Sequence, residues 1–225
     1  MAKKLNRIRK FIDRIKHAGK YKQRYVFFLS APSAAGKDGL WKFIKKMKYD
    51  KKYNLYRPIS TTCRLPRLKE TCGVDYFYTY KDKIVDENNN PLPNVVSPLK
   101  FGIEDEKEVW YCYTKNELIE PLKQGKNLLF IVNGSLVNFY KEYFSKNFPG
   151  IKTITTCWTI DEEAQKIKFY RRDPSKTKEE LDQIFESRIE ERKMYEDLIK
   201  QNTFDYVDDA SVSLKKWKHK QYKKL

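Results

Sequence analysis

Tyr25-Val-Phe-Phe-Leu-Ser30 is an apolar run of strand length, and it leads directly into Ala31-Pro-Ser-Ala-Ala-Gly-Lys37-Asp38-Gly39. After that loop, Leu40, Trp41, Ile44 and Met47 recur at helical spacing. An unbroken apolar run is what a parallel strand covered on both faces requires. A glycine-containing loop between such a strand and a helix can aim backbone N–H groups at a phosphate, and the helix dipole adds positive potential. Gly36 permits close approach of the backbone, and Lys37 supplies a point charge. Against the pattern G-x-x-x-x-G-K-[S/T] the last glycine and the lysine match, whereas Ala31 holds the first position and Asp38 stands in place of Ser or Thr. On spacing alone the loop is either a phosphate site or an ordinary strand-to-helix turn.

Outward from this loop the pattern alternates. Buried strands are expected over Asn127 to Val132, Ile151 to Ile160 and Phe204 to Val207, and helices over Tyr113 to Gln124, Asp161 to Tyr170 and Lys178 to Gln201. Residues 55–80 read as short strands and turns, and Asp86 to Pro98, rich in Asn and Pro, as an exposed excursion. Alternation of this kind predicts an α/β fold, a parallel sheet with helices on both faces. A chain of 225 residues suits one such domain with a small inserted lobe. There is no internal repeat.

The formal charge of +17 is concentrated at the ends. Residues 1–24 carry ten Lys/Arg against Asp13 alone, and residues 214–225 carry six Lys and no acid, which leaves about +2 for residues 25–213. The body is therefore close to neutral, and basicity is not a property of its surface as a whole. Leu5, Ile8, Phe11, Ile12 and Ile15 recur at helical spacing among the basic residues, predicting an amphipathic helix. Its apolar stripe could be covered by its own domain, a second copy of the chain, RNA or an anionic membrane surface. The apolar runs are all too short to span a bilayer and the N-terminus has no signal-peptide core, so a cytoplasmic setting is expected. Cys63, Cys72, Cys112 and Cys157 have no Cys-x-x-Cys spacing, and only His17 and His219 could join them; reduced structural thiols are expected, with no zinc site.

A second segment carries more information. In Ser60-Thr-Thr-Cys-Arg64-Leu-Pro-Arg67-Leu-Lys-Glu70-Thr-Cys-Gly73-Val-Asp75-Tyr76, two arginines three apart on an irregular stretch can converge on one phosphate with bidentate donors, and a tyrosine hydroxyl can add a neutral hydrogen bond.

This segment resembles the S-x-T-T-R-x-P-R-x-x-E-x-x-G-x-D-Y signature of guanylate kinases, with Cys63 the single break. The loop Leu29-Ser-Ala-Pro-Ser-Ala-Ala-Gly-Lys37 is similar to the phosphate loop of the same family, where an Ala-Pro-Ser opening is usual. Ala34 replaces a customary glycine there, and Asp38 the hydroxyl that helps hold Mg²⁺. Lys168-Phe-Tyr-Arg-Arg172 resembles the arginine pair of the family's lid, Arg188 the arginine of the next helix, and Val207-Asp-Asp209 the closing strand. Similarity thus runs over about residues 25–210.

The resemblance implies a P-loop NTPase-type sheet, a small mixed β lobe for the monophosphate (about 56–112) and a helical lid (about 165–190). The basic helix 1–24 and tail 211–225 flank it. It implies ATP and Mg²⁺ as cofactors, with Ser33, Ala34, Ala35, Gly36, Lys37, Asp38 and Gly39 at ATP and Asp38 at the metal. Ser60, Arg64, Arg67, Glu70, Tyr76 and Tyr111 would hold the monophosphate, with Glu104 and Asn133 standing near where the family places its guanine-binding carboxylates. Lys37, Lys168, Arg172 and Arg188 would surround the transferred phosphoryl group. The implied activity is phosphorylation of a nucleoside monophosphate, GMP or dGMP first, by a monomer or homodimer. The alternatives are a kinase-shaped binding module without catalysis and a protein that binds RNA or a membrane surface through its basic ends.

Overall fold

The computed structural model describes residues 4–19, 23–66, 70–104, 107–171, 177–186 and 188–209. Its first elements are α1 (Lys4–Ala18), β1 (Tyr25–Ser30), α2 (Lys37–Lys46), α3 (Tyr49–Lys52), β2 (Leu55–Tyr56), β3 (Thr61–Thr62) and β4 (Phe77–Tyr78). They are followed by β5 (Val95–Glu104), β6 (Lys107–Thr114), α4 (Lys115–Lys123), β7 (Asn127–Ile131), α5 (Val137–Asn147) and β8 (Lys152–Thr159). The last are α6 (Glu162–Tyr170), α7 (Lys178–Glu186), α8 (Ile189–Lys200) and β9 (Tyr206–Asp209). The chain divides into two compact units, one made of Met1–Tyr53 with Leu129–Leu225 and the other of Asn54–Leu128.

In the first unit β1 runs parallel to β8, from Tyr25 opposite Lys152 to Ser30 opposite Cys157, and β8 runs parallel to β9. Strand β7 lies on the other side of β1, giving the order β7-β1-β8-β9. Successive side chains of a strand face opposite sides, and β1 uses both. Phe28 meets Phe130 at 5.4 Å and Phe144 of α5 at 6.0 Å between ring centroids, while Phe27 meets Phe11 of α1 at 6.3 Å. The expected parallel sheet with helices on both faces is what the chain builds.

The apolar stripe of α1 is covered by its own unit, with Phe11, Ile12, Ile15 and Ala18 almost wholly buried. Arg14 fastens the helix by donating to both carboxylate oxygens of Asp208, at 2.8 and 3.1 Å, with its guanidinium 4.0 Å from the Tyr206 ring.

Two helix limits differ from expectation. The stretch 178–201 forms two helices, with Arg188 at the junction donating its N–H to Phe185 O at 2.9 Å. Phe185 packs on Phe169 of α6, whereas the Tyr195 hydroxyl accepts from Gly134 N at 3.0 Å. Ten positions apart, they would point about 80° away from one another on a straight helix, so the break lets each find its partner. Helix α4 starts at Lys115, because Tyr113 is buried within β6 and Thr114 caps the helix by accepting from Glu117 N.

The second unit is a mixed sheet of order β4-β3-β6-β5, with β3 parallel to β4 and β6 antiparallel to both β3 and β5. Strand β2 pairs parallel with Asn127 and Leu128 at the start of β7. Ile84, Val85, Trp110 and Cys112 form a small core joined by Cys63 and Val95. The expected excursion is a turn in which Asp86 accepts from Asn88 N and Asn90 N, and it ends sooner than Pro98, since β5 already begins at Val95. Pro98 is accommodated at a register shift between Val96 and Leu99, where Ser97 has φ 45, so no ladder N–H is required of it.

Candidate functional site

The loop after β1 bends through two left-handed residues, Ala34 at φ 60 and Gly36 at φ 89, and Gly36 opens α2 with no side chain capping that helix. As α2 begins, Gly39 N donates back to Gly36 O at 3.2 Å. Lys37 Nζ donates to Ala31 O at 2.5 Å and Pro32 O at 3.3 Å, which lays its ammonium along the loop. Two helices far away in sequence bracket the loop. Gln165 of α6, fully buried, donates to Ser33 O at 2.9 Å and accepts from Arg192 of α8 at 2.6 Å. Glu191 accepts from Ser33 N at 3.3 Å, a carboxylate on the kind of donor that a phosphate oxygen would take. Of the residues expected here, Ser33 and Ala34 are half-buried, Ala35 buried, and Gly36 and Gly39 exposed; the Asp38 side chain lies outside the described residues. Lys168, in α6, and Arg188, at the start of α8, are half-buried, and Arg172 lies outside the described residues.

The second unit carries a cationic centre built on Arg64, whose side chain is 1% exposed. Its guanidinium makes a two-point pair with Glu70, at 2.7 and 2.8 Å, and donates through Nε to the Tyr111 hydroxyl at 2.8 Å. The Tyr76 ring lies 4.8 Å from it, and the Tyr78 hydroxyl donates to Glu70 at 2.9 Å. Burial alone would lower the Arg64 pKa, but Glu70 and Tyr111 more than offset it, so the charge is held. Burial, followed by the bond to Glu70, raises the Tyr78 pKa and keeps its phenol a donor. Ser60 hydrogen-bonds Tyr113, whose phenol burial keeps protonated. Beside Tyr111, the Cys112 thiol is pushed up to about 12 by burial and stays inert.

Arg64, Glu70, Tyr76 and Tyr111 are therefore brought together, whereas Arg67 and the side chain of Glu104 lie outside the described residues. Asn133 is not free to accept from a base through Oδ1, which already takes the Ser135 N–H at 3.0 Å and its hydroxyl at 2.9 Å. Sequence reasoning missed Tyr78, Gln165, Glu191 and Arg192. Tyr78 had a signal, since it stands two positions after Tyr76 and so on the same side of an extended chain. The other three sit among many charged helical residues with nothing to single them out.

No family model matches the chain. A guanylate kinase of Porphyromonas gingivalis (strain ATCC BAA-308 / W83) is 26% identical over 121 residues, 53% of this chain and 58% of that protein. A guanylate kinase of Malacoplasma penetrans (strain HF-2) is 27% identical over 216 residues, 92% of this chain and 96% of its own length. The chain is thus similar to guanylate kinases, in the second case along nearly its whole length. Within the solved structures, a guanylate kinase from Anaplasma phagocytophilum aligns with a TM-score of 0.48 at 13% identity, over 84% of this chain and 78% of that one. Against the guanylate kinase pattern it resembles, the chain has Arg64, Tyr76 and Tyr111 in place and differs at Ala34 and Asp38.

Proposed function

We propose that this protein transfers the γ-phosphoryl group of ATP to a purine nucleoside monophosphate, GMP or dGMP first, giving ADP and the diphosphate. The observation that carries this is Arg64: a guanidinium buried, kept charged and fixed in orientation by Glu70, Tyr76 and Tyr111, inside the segment that resembles the family's monophosphate site. A buried cation costs several kcal/mol of desolvation, and an anionic substrate is a reason to keep it.

In this assignment Arg64, Arg67, Ser60, Tyr76 and Tyr111 hold the monophosphate's phosphate. The amides of residues 33–39 and Lys37 hold the ATP phosphates, and Lys168, Arg172 and Arg188 add positive charge around the moving group. A terminal oxygen of the monophosphate forms the new P–O bond as the bond to the ADP oxygen breaks. Such a transfer asks for alignment, positive charge and exclusion of water more than for covalent help from protein. Mg²⁺ suits the donor set, since it takes one or two carboxylates with phosphate and water oxygens, and Asp38 at the start of α2 would be its protein ligand. When bound, the ion neutralises phosphate charge. Cytoplasmic location belongs to the same proposal; among the described residues no helix is long and apolar enough to cross a membrane.

The second reading, a binding module without turnover, is favoured by the engagement of Asn133 with Ser135 and of Glu191 with the Ser33 amide. A coupled assay of ADP release, run with Mg·ATP against each nucleoside monophosphate, separates the two. Turnover with GMP or dGMP is expected, and no turnover with any monophosphate would leave only the binding module.

A further inference from the structure

Arg7 sits on the basic N-terminal helix α1, yet it is buried, with 6% of its surface exposed. Its place follows from chain geometry. Helix α1 is about 22 Å long, β1 is about 20 Å, and only six residues separate them in sequence. The start of α1 is thereby returned toward the carboxyl ends of the strands, where open α/β sheets place their ligands. Gly19, at the far end, sits against Tyr53, while the Arg7 guanidinium lies 4.6 Å from the ring of Trp158, near the carboxyl end of β8. A Cβ added to Gly36 would stand 3.2 Å from Arg7 Nη2.

Docking alone does not call for a cation at this position. Ile8, Phe11, Ile12 and Ile15 already bury the helix, and Arg14 already ties it to Asp208. Desolvation lowers the Arg7 pKa, and Asp209 and Asp208 offset this only in part. Holding the charge therefore costs stability. Meanwhile the loop it touches has a carboxylate on it, Glu191 accepting from the Ser33 amide. A fixed positive charge against Gly36 would restore an attractive potential for phosphate oxygens.

We infer that Arg7 is a positioning residue of the triphosphate-binding loop, its guanidinium bracing Gly36 from the N-terminal helix; this rests on the kinase reading above. The helix is then a working part of the ATP site and not only a basic appendage.

Calorimetric titration of the full chain with Mg·ATP and, separately, with GMP tests it in wild type, Arg7→Met and Arg7→Lys. The methionine variant keeps an apolar stem and removes the charge. It is expected to weaken Mg·ATP binding about tenfold, the scale of one charge-assisted contact, and to leave GMP binding within about twofold. The lysine variant is expected to recover most of the Mg·ATP loss, which a purely structural role for the fork would not produce. Mg·ATP binding undiminished in Arg7→Met, or Mg·ATP and GMP binding weakened alike, overturns this inference alone. Failure of wild type to bind Mg·ATP at all sinks both it and the kinase reading. Should Arg7→Met not fold, amide hydrogen exchange of wild type decides: residues 5–12 are expected to be protected further by Mg·ATP and not by GMP, and unchanged exchange there contradicts the proposal.

Discussion

Ala34 holds a left-handed backbone, φ 60, where the family customarily has glycine. An L side chain pays roughly 1–2 kcal/mol in that conformation, while glycine loses about 0.5–1 kcal/mol more chain entropy on folding. Ala34→Gly should therefore raise the free energy of unfolding by a few tenths to about 1 kcal/mol in urea titration, with Mg·ATP binding retained. A loss of stability would show that the loop does not need the turn at this residue. At the same scale the sequence disclosed some residues and hid others. Arg64, Glu70, Tyr76 and Tyr111 were legible because a fixed local spacing, helped by one partner across a ladder, brings them together. Gln165, Glu191 and Arg192 were not, because their roles depend on how α6 and α8 approach the loop, and no local pattern encodes that approach.

Among the elements, the short turn after β7 shows how packing fixes a residue type. Gly134 has ordinary backbone angles for any residue, yet a Cβ there would lie 2.7 Å from Tyr195 Cε1 and 2.9 Å from Leu198 Cδ1 of α8. Gly134→Ala is expected to destabilise by about 2 kcal/mol, within the usual range for overpacking, and a change under about 0.5 kcal/mol would mean that α8 yields freely. Strand β6 offers a pH test. Its Glu108 is held by Lys100, by Lys81 at 2.7 Å and by the Trp110 indole at 3.3 Å, and its carboxyl is lowered to about 2. A carboxyl with a depressed folded pKa stabilises above its ordinary range and loses that contribution as pH falls toward 2. Glu108→Gln should flatten this part of the acid dependence of urea midpoints between about pH 5 and pH 2; an identical acid profile would argue that the three contacts carry no weight. Element limits were legible where the hydrophobic period was long and unbroken, as in β1, β7 and β8. They were obscured where tertiary partners took over, as with Thr114 capping α4, Pro98 inside β5, and the change of partner between Phe185 and Tyr195.

For the molecule as a whole, the parallel sheet was legible because alternating strands and helices leave few ways to bury both faces of a central strand, whereas the mixed sheet was expected only from the family resemblance. The net charge of +17 gave no comparable guidance. Part of it, at Arg7 and Arg14, is spent inside the fold on an aromatic ring and on Asp208, while Arg9, Lys10 and Lys16 of the same helix are exposed. The departures at Ala34 and Asp38 both fall in the loop after β1, whereas the cluster of Arg64 with Glu70, Tyr76 and Tyr111 is complete. The most direct test of the central claim is transfer of radiolabel from γ-³²P-ATP to GMP, with Arg64→Met prepared in parallel to expose any contaminating host kinase. Labelled GDP is expected from wild type, falling at least about tenfold in the variant, as loss of a charged phosphate contact requires. No labelled diphosphate from GMP or dGMP, or equal label from wild type and variant, would contradict it.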